Sequence, residues 1–340
     1  MRRLEETRDV LIDTDADFDD YMAMLYLLKH PDVNVKGITV SGTGAVHLTP
    51  GTTNVSNMLT LLGDANSLKI PVASGAKAPM IYSNTYPGAD RQAADQHYEA
   101  PFPSTNPNPT LDDALLFLRE YIINCESPVT VLCIGGGSNW GRLFALANTD
   151  EELRLALGKN VERIVMMGGN LLPCYVTPGA EGNLQPTMQP DPYYTNKVAE
   201  WNIFVDPVGA QEIFAGNVPI TLVALNATSQ VPLTPEFVAE LAQINNPVAK
   251  FLCQVLESQT IKPGIGNYLD FWDPLAACVL VDPTLVSTEA FNIKIELELD
   301  EEDDKSGMLI LDDVNGHAID VALDANANDV YQEYLDVIAL

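Results

Sequence analysis

Five aspartates (Asp13, Asp15, Asp17, Asp19 and Asp20) fall within eight residues, directly after the apolar run Val10-Leu11-Ile12 and directly before the helical pattern Tyr21-Met22-Ala23-Met24-Leu25-Tyr26-Leu27-Leu28. So many carboxylates repel one another at short range, and a folded chain keeps them together only where they are solvated or hold a cation. An oxygen-only ligand set points to Ca²⁺ or Mg²⁺. The crevice beyond the carboxyl end of a strand in an open α/β sheet is where ligands bind, so this turn is expected to form a catalytic floor. Acidic residues also suit the first turn of a helix, which accounts for one or two of the five. An EF-hand loop starting at Asp13 fails, because Phe18 and Met24 stand where Gly and Glu are needed. An aspartyl-phosphate phosphatase with Asp13 as nucleophile and Asp15 as acid is a further alternative, and it leaves Asp17, Asp19 and Asp20 without a role.

The elements that must position this turn follow from the apolar pattern. Short apolar runs alternate with helical patterns, as strands buried in a mostly parallel sheet require, so the fold class is α/β with helices flanking a central sheet. Strands are expected at 10–12, 35–40, 72–74, 129–134, 164–167, 203–205 and 220–225, with a helix across 54–62. The stretch from Pro79 to Pro109 is rich in Pro, Asn and aromatic residues with little periodicity, and reads as a long surface loop and candidate lid. The alternating run Phe291 to Leu299, then Glu301-Glu302-Asp303-Asp304 and Gly307, reads as a peripheral β-hairpin near the C-terminus with solvated charges at its tip.

The chain has 340 residues, 46% of them hydrophobic. Nothing marks an internal linker or repeat, so residues 1–340 are expected to form a single domain. Lys plus Arg number 18 against 47 Asp plus Glu, a formal net charge of −29. That balance disfavours nucleic-acid backbones, anionic membrane surfaces and phosphorylated substrates as partners. The N-terminus lacks an apolar signal segment and no run approaches the roughly twenty apolar residues of a membrane span, so a soluble, cytoplasmic protein is expected. Cys125, Cys133, Cys174, Cys253 and Cys278 are odd in number and widely spaced, which favours reduced thiols over a disulfide frame or a zinc site.

Four segments at strand ends carry a resemblance. Asp13-Thr14-Asp15 with Asp19-Asp20, then Val165-Met166-Met167-Gly168-Gly169, then Ala199 to Pro207, then Trp272-Asp273-Pro274-Leu275-Ala276 follow the order seen in nucleoside hydrolases. The chain resembles that family over nearly its whole length. The resemblance implies a Ca²⁺-dependent N-ribohydrolase that cleaves the bond between ribose and nucleobase with water, without an organic cofactor. It implies that Asp15, Asp20 and Asp273 bind calcium, together with the backbone carbonyl of Ile134. It gives Asp19 to the ribose hydroxyls, Glu200 and Asn202 to the far side of the sugar, Asn183 to a further ribose contact, and Met167 to packing nearby. A homodimer or homotetramer is implied as well.

The chemistry asks for such a set on its own terms. Breaking a ribosyl C–N bond builds positive charge on the anomeric carbon and ring oxygen, which carboxylates such as Glu200 and Asp19 stabilise. Calcium can order the ribose hydroxyls and lower the pKa of one water, whose proton Asp15 accepts. Glu200 and Asn202 also have a plainer explanation as hydrogen-bond partners at a strand start, and Met167 as core.

Two departures from the family pattern bear on the substrate. Thr43, in Val40-Ser41-Gly42-Thr43-Gly44, stands where an Asn or Asp would touch the ribose, and its hydroxyl lacks their charge or two-ended amide. Trp272 stands where broad-specificity members have the His that protonates the leaving base, and an indole donates no catalytic proton at neutral pH. Trp272 with Glu200-Trp201-Asn202 and Gly182-Asn183 resembles instead the purine-preferring inosine-adenosine-guanosine subgroup, in which aromatic rings sandwich the base. Its second stacking ring would be Tyr86 or Tyr98, and His97 in the same loop is an alternative acid. Two rival functions are a non-catalytic nucleoside or calcium binder on the same fold and the Mg²⁺ phosphatase described above.

Overall fold

A computed structural model describes residues 7–171, 182–184, 195–300 and 302–340. Nine strands form one sheet: β1 (Arg8–Thr14), β2 (Val33–Val40), β3 (Val72–Ser74), β4 (Val129–Cys133), β5 (Val161–Met167), β6 (Ile220–Val223), β7 (Val286–Ile295), β8 (Leu309–Leu311) and β9 (His317–Ala325). Their spatial order is β3-β2-β1-β4-β5-β6-β9-β7-β8. Pairing is parallel from β3 through β9, and β7 runs antiparallel to both β9 and β8. The α/β architecture and the edge hairpin near the C-terminus are as the sequence predicts.

The chain winds outward from β1 to β3, then returns to lay β4, β5 and β6 on the other side. The order therefore reverses between β1 and β4, and the carboxyl ends of those two strands part to leave a crevice. Alternation along β1 sorts its side chains between two cores. Val10 and Ile12 pack with helix Phe18–Lys29 and helix Trp272–Val281 on one face. Leu11 packs with Val131, Cys133 and helix Ser138–Ala147 on the other. No helix among the described residues is long and apolar enough to cross a membrane. Cys125, Cys133, Cys253 and Cys278 are free thiols, and Cys174 lies outside the described residues.

Three sequence expectations are corrected. Residues 203–205 belong to a helix, Trp201–Val205, because both carboxylate oxygens of Glu200 accept from N–H groups of its first turn. A short apolar Ile-Phe-Val run has no period long enough to tell strand from helix. The segment 79–109 is not wholly loop: helix Gly88–Asp95 and the turn His97–Glu99 lie in it. Alanines are the helix's main apolar residues, so it shows little periodicity, and Arg91 ties it down by donating to the carbonyls of Gly42 and Val46. The hairpin tip is only partly solvated, since Asp304 is buried and accepts from Asn196 Nδ2 at 3.2 Å and Ser306 Oγ at 3.1 Å. Glu301 lies outside the described residues. The predicted helix at 54–62 is found as helix Leu48–Met58 and a tighter turn Leu59–Leu62.

Candidate functional site

The turn after β1 is folded around its own carboxylates. Asp17 caps helix Phe18–Lys29 and Asp20 reaches back to the Asp17 N–H at 3.0 Å, a reciprocal capping box. Asp20 also accepts from the Thr14 hydroxyl and from the Asp15 N–H. Ala16 adopts a left-handed conformation, φ 56°, to turn the chain between them. Asp15 is fixed from outside, its Oδ2 accepting from the Ala45 N–H at 2.8 Å. A Cβ on Gly44 would collide with that oxygen, so glycine is required there.

Adjacent aspartates take opposite faces. Asp13, on the side of Leu11, accepts from Thr39 Oγ1 at 2.6 Å and Asn139 Nδ2 at 2.7 Å, and burial pushes its carboxyl up to about 6. It is not on the cavity wall. The phosphatase reading thereby loses its nucleophile. Asp15, Asp19 and Asp20 face the cavity with Asp273, from the first turn of helix Trp272–Val281. Carboxylate oxygens of Asp19, Asp20 and Asp273 lie within 4.8 Å of one another. Burial, and then the charges of neighbouring aspartates, hold these three well above the carboxylate range, and the same causes push Asp15 up to about 7. Mutually repelling carboxylates shut away from water fit a hard, oxygen-seeking divalent cation.

The opposite wall comes from the ends of β4 and β5 and from the segment before helix Trp201–Val205. Glu200 Oε2 accepts from the Gly169 N–H at 2.9 Å and the Ile203 N–H at 3.2 Å, while Oε1 accepts from the Asn202 N–H at 2.8 Å. Burial pushes Glu200 up to about 7 despite those bonds. Asn202 Nδ2 donates to the carbonyls of Ile134 and Met167, each at 3.3 Å. Asn183 Oδ1 accepts from the Trp201 N–H at 3.0 Å. Ile134, Met167, Asn183, Glu200 and Asn202 all line the cavity.

Aromatic rings complete the enclosure. Tyr86 lies on Trp201 with centroids 4.5 Å apart and an interplanar angle of 27°. Phe18 bridges Tyr98 and Trp272 through edge contacts at 6.4 Å and 6.3 Å. The Tyr98 hydroxyl donates to Asp17, carried there by three consecutive left-handed residues, His97, Tyr98 and Glu99. The Trp272 indole N–H is buried and finds no acceptor among the described residues. The whole cavity has a volume of about 1220 Å³.

Two predicted residues stand elsewhere. The Thr43 hydroxyl is 2.5 Å from Ser41 Oγ and accepts from Ser138 Oγ at 3.2 Å, in a buried polar chain that keeps it off the cavity wall. His97 packs its ring on Phe102 at 4.5 Å and is likewise absent from the wall, which removes it as the acid. Phe18 and Asp270 line the cavity although the sequence reading gave them no role. Phe18 sits inside the acidic motif and could have been noticed there, whereas Asp270 carries no local signal.

Similarity to known proteins runs along the chain. The family model for inosine-uridine preferring nucleoside hydrolase matches residues 10–332. A pyrimidine-specific ribonucleoside hydrolase, RihA, from Shewanella sp. (strain MR-4) is 31% identical over 299 residues, covering 86% of this chain and 83% of that protein. The purine-preferring ribonucleoside hydrolase from Gardnerella vaginalis superposes with a TM-score of 0.77 at 23% identity, over 98% of each chain. The inosine-uridine preferring nucleoside hydrolase from Bacillus anthracis gives 0.75 at 21% identity, over 98% of this chain and 99% of that one. At such identities the two structures establish a shared fold.

Proposed function

The chain belongs to the inosine-uridine preferring nucleoside hydrolase family, and from that premise we propose that it hydrolyses the N-glycosidic bond of ribonucleosides to free base and ribose with the help of Ca²⁺. The observation that carries the proposal is the buried carboxylate cluster at the strand-order reversal. Asp15, Asp20, Asp273 and the carbonyl of Ile134 would hold the ion, with Asp19 beside them. Bound there, calcium would order the ribose hydroxyls and lower the pKa of a water molecule.

The protein's own groups supply the rest. Asp15 accepts the proton of the attacking water, its carboxylate held in position by the Ala45 N–H. Asp19 binds the ribose hydroxyls. Glu200 is locked by three backbone donors, so its charge stands still while positive charge grows on the sugar ring. Asn183 and Asn202 hold the sugar's far side, and Met167 packs beneath it. Trp272 and Tyr86 flank the base, and base–aromatic stacking contributes on the order of 1–3 kcal/mol.

For the base itself we infer a purine preference from Trp272 and the aromatic enclosure. The second reading is a pyrimidine preference, which the name of the Shewanella relative supports. A cytoplasmic homodimer or homotetramer completes the proposal. The experiment is release of base and reducing sugar from inosine, guanosine, adenosine, uridine and cytidine, with and without chelator. Purine hydrolysis lost on chelation is the expected result. Pyrimidine hydrolysis would replace the purine assignment, and no hydrolysis of any nucleoside would leave a binding protein.

A further inference from the structure

The leaving base needs a proton, and neither the indole at the family's acid position nor the alternative acid His97 can supply it. Trp272 has no titratable group, and His97 lies against Phe102 away from the cavity. Asp17 is occupied with capping its helix and accepting from Tyr98. Asp90 and Asp324 also line the cavity but are exposed, although burial raises Asp90 as well.

Asp270 differs from all of these. It forms an antiparallel bridge with Pro232, and the stretch around it is fixed by Leu233 N–H donating to Leu269 O and Phe271 N–H to Val231 O, both at 2.8 Å. In such an extended stretch neighbouring side chains point to opposite sides. Phe271 turns into the core, with ring centroids 5.0 Å from Phe237 and 5.1 Å from Tyr334. Asp270 and Trp272 both line the cavity instead. The Asp270 carboxylate is half-buried and makes no hydrogen bond or ion pair among the described residues, and burial alone pushes it up to about 7. Tyr331 of helix Ala327–Ala339 feels its charge, and Tyr268 and Asp324 are titratable groups lining the same cavity.

We propose that Asp270 is the acid that protonates the departing nucleobase, a role that rests on the hydrolase reading above. The bond between the anomeric carbon and the base nitrogen breaks, and its electron pair stays on the base. The carboxyl hydrogen of Asp270 transfers to the base. The water oxygen bonds to the anomeric carbon and its proton passes to Asp15, so the net change is addition of water across the glycosidic bond. The open cavity then lets solvent return a proton to Asp270. A carboxyl raised by burial can carry, near neutral pH, the proton this step requires.

The test compares wild type and Asp270→Asn, both calcium-replete, on inosine, uridine and p-nitrophenyl riboside, whose phenolate leaves without a proton. The variant is expected to lose about a hundredfold to ten-thousandfold in kcat on the nucleoside turned over by wild type, the range of general acid catalysis. Turnover of the nitrophenyl riboside should stay within a few-fold, which also shows that the variant folds. Wild-type kcat on the nucleoside should fall as pH rises past about 7, a decline absent in the variant and with the activated substrate. Equal losses on both substrates, or full nucleoside turnover by the variant, would overturn the assignment. Wild type inactive on all three would instead sink the hydrolase reading, and the Asp270 role with it.

Discussion

The chain carries two acidic clusters of similar appearance in the sequence, the turn Asp13 to Asp20 and the hairpin tip around Asp300 to Asp304, and the fold treats them in opposite ways. In the first, Asp13, Asp15, Asp19 and Asp20 are buried and their carboxyls are held above the usual range. In the second, exposed Asp300 accepts from the N–H groups of Glu302 and Asp303 and is held below it, and Asp303 pairs with Lys305 at 3.0 Å. Charge density alone therefore does not mark a site. What marks one is charge that the fold has removed from water without supplying a counter-charge.

Three experiments would break or sharpen that contrast. The largest effect is expected for Asp15→Asn, which should lower base release by about a hundredfold to ten-thousandfold. Asp303→Asn should leave release unchanged, and a comparable loss at both positions would erase the distinction. An intermediate effect is expected on stability against pH. Carboxyls raised in the folded state, such as Asp13 at about 6 and Glu200 at about 7, contribute stability that is complete below their ordinary values of 3.8 and 4.5. That contribution disappears as pH rises through 6 to 7. Chelated protein should accordingly melt at a lower temperature at about pH 8 than at about pH 5, and added calcium should narrow the gap by binding the ionised carboxylates. Asp300, shifted the other way, adds stability that is lost only as pH falls through its lowered pKa. A chelated protein equally stable across this range would mean that the first cluster is wet.

The smallest effect concerns the one residue that crosses between the two classes. Asp304 is buried at the hairpin tip and accepts from Asn196, whose Oδ1 in turn accepts from the N–H groups of Val198 and Ala199 beside Glu200. Asp304→Ala should destabilise by about 1–3 kcal/mol, measured by denaturant titration, because the buried Asn196 amide loses one of its two acceptors and Ser306 Oγ loses its own. Asp300→Ala should leave the denaturation midpoint essentially unchanged.

What could be read from sequence follows the range of the interactions involved. The Asp13 to Asp20 turn was legible because strand, turn and helix are contiguous and the capping chemistry is local. Glu200 and Asn202 were legible through resemblance, yet the element beneath them was misassigned, because Ile203-Phe204-Val205 is too short to show a period. Thr43 was expected at the ribose and stands in a hydroxyl chain with Ser138, a partner 95 residues away that no local pattern reveals. Asp270 went unnoticed for the same reason: its exposure to the cavity depends on Phe271 finding Phe237 and Tyr334.

The contact between Asp19 and the Asp273 N–H, at 3.5 Å, joins positions 254 residues apart. A growing chain presents the acidic turn long before it gains Asp273, 254 residues after Asp19. Until then the early aspartates remain hydrated, and the loop closure that brings the two ends together has no reward to offset its entropy. The proposed cation site would thus be completed only once Asp273 has docked, and tight calcium retention by a nascent chain would report that event.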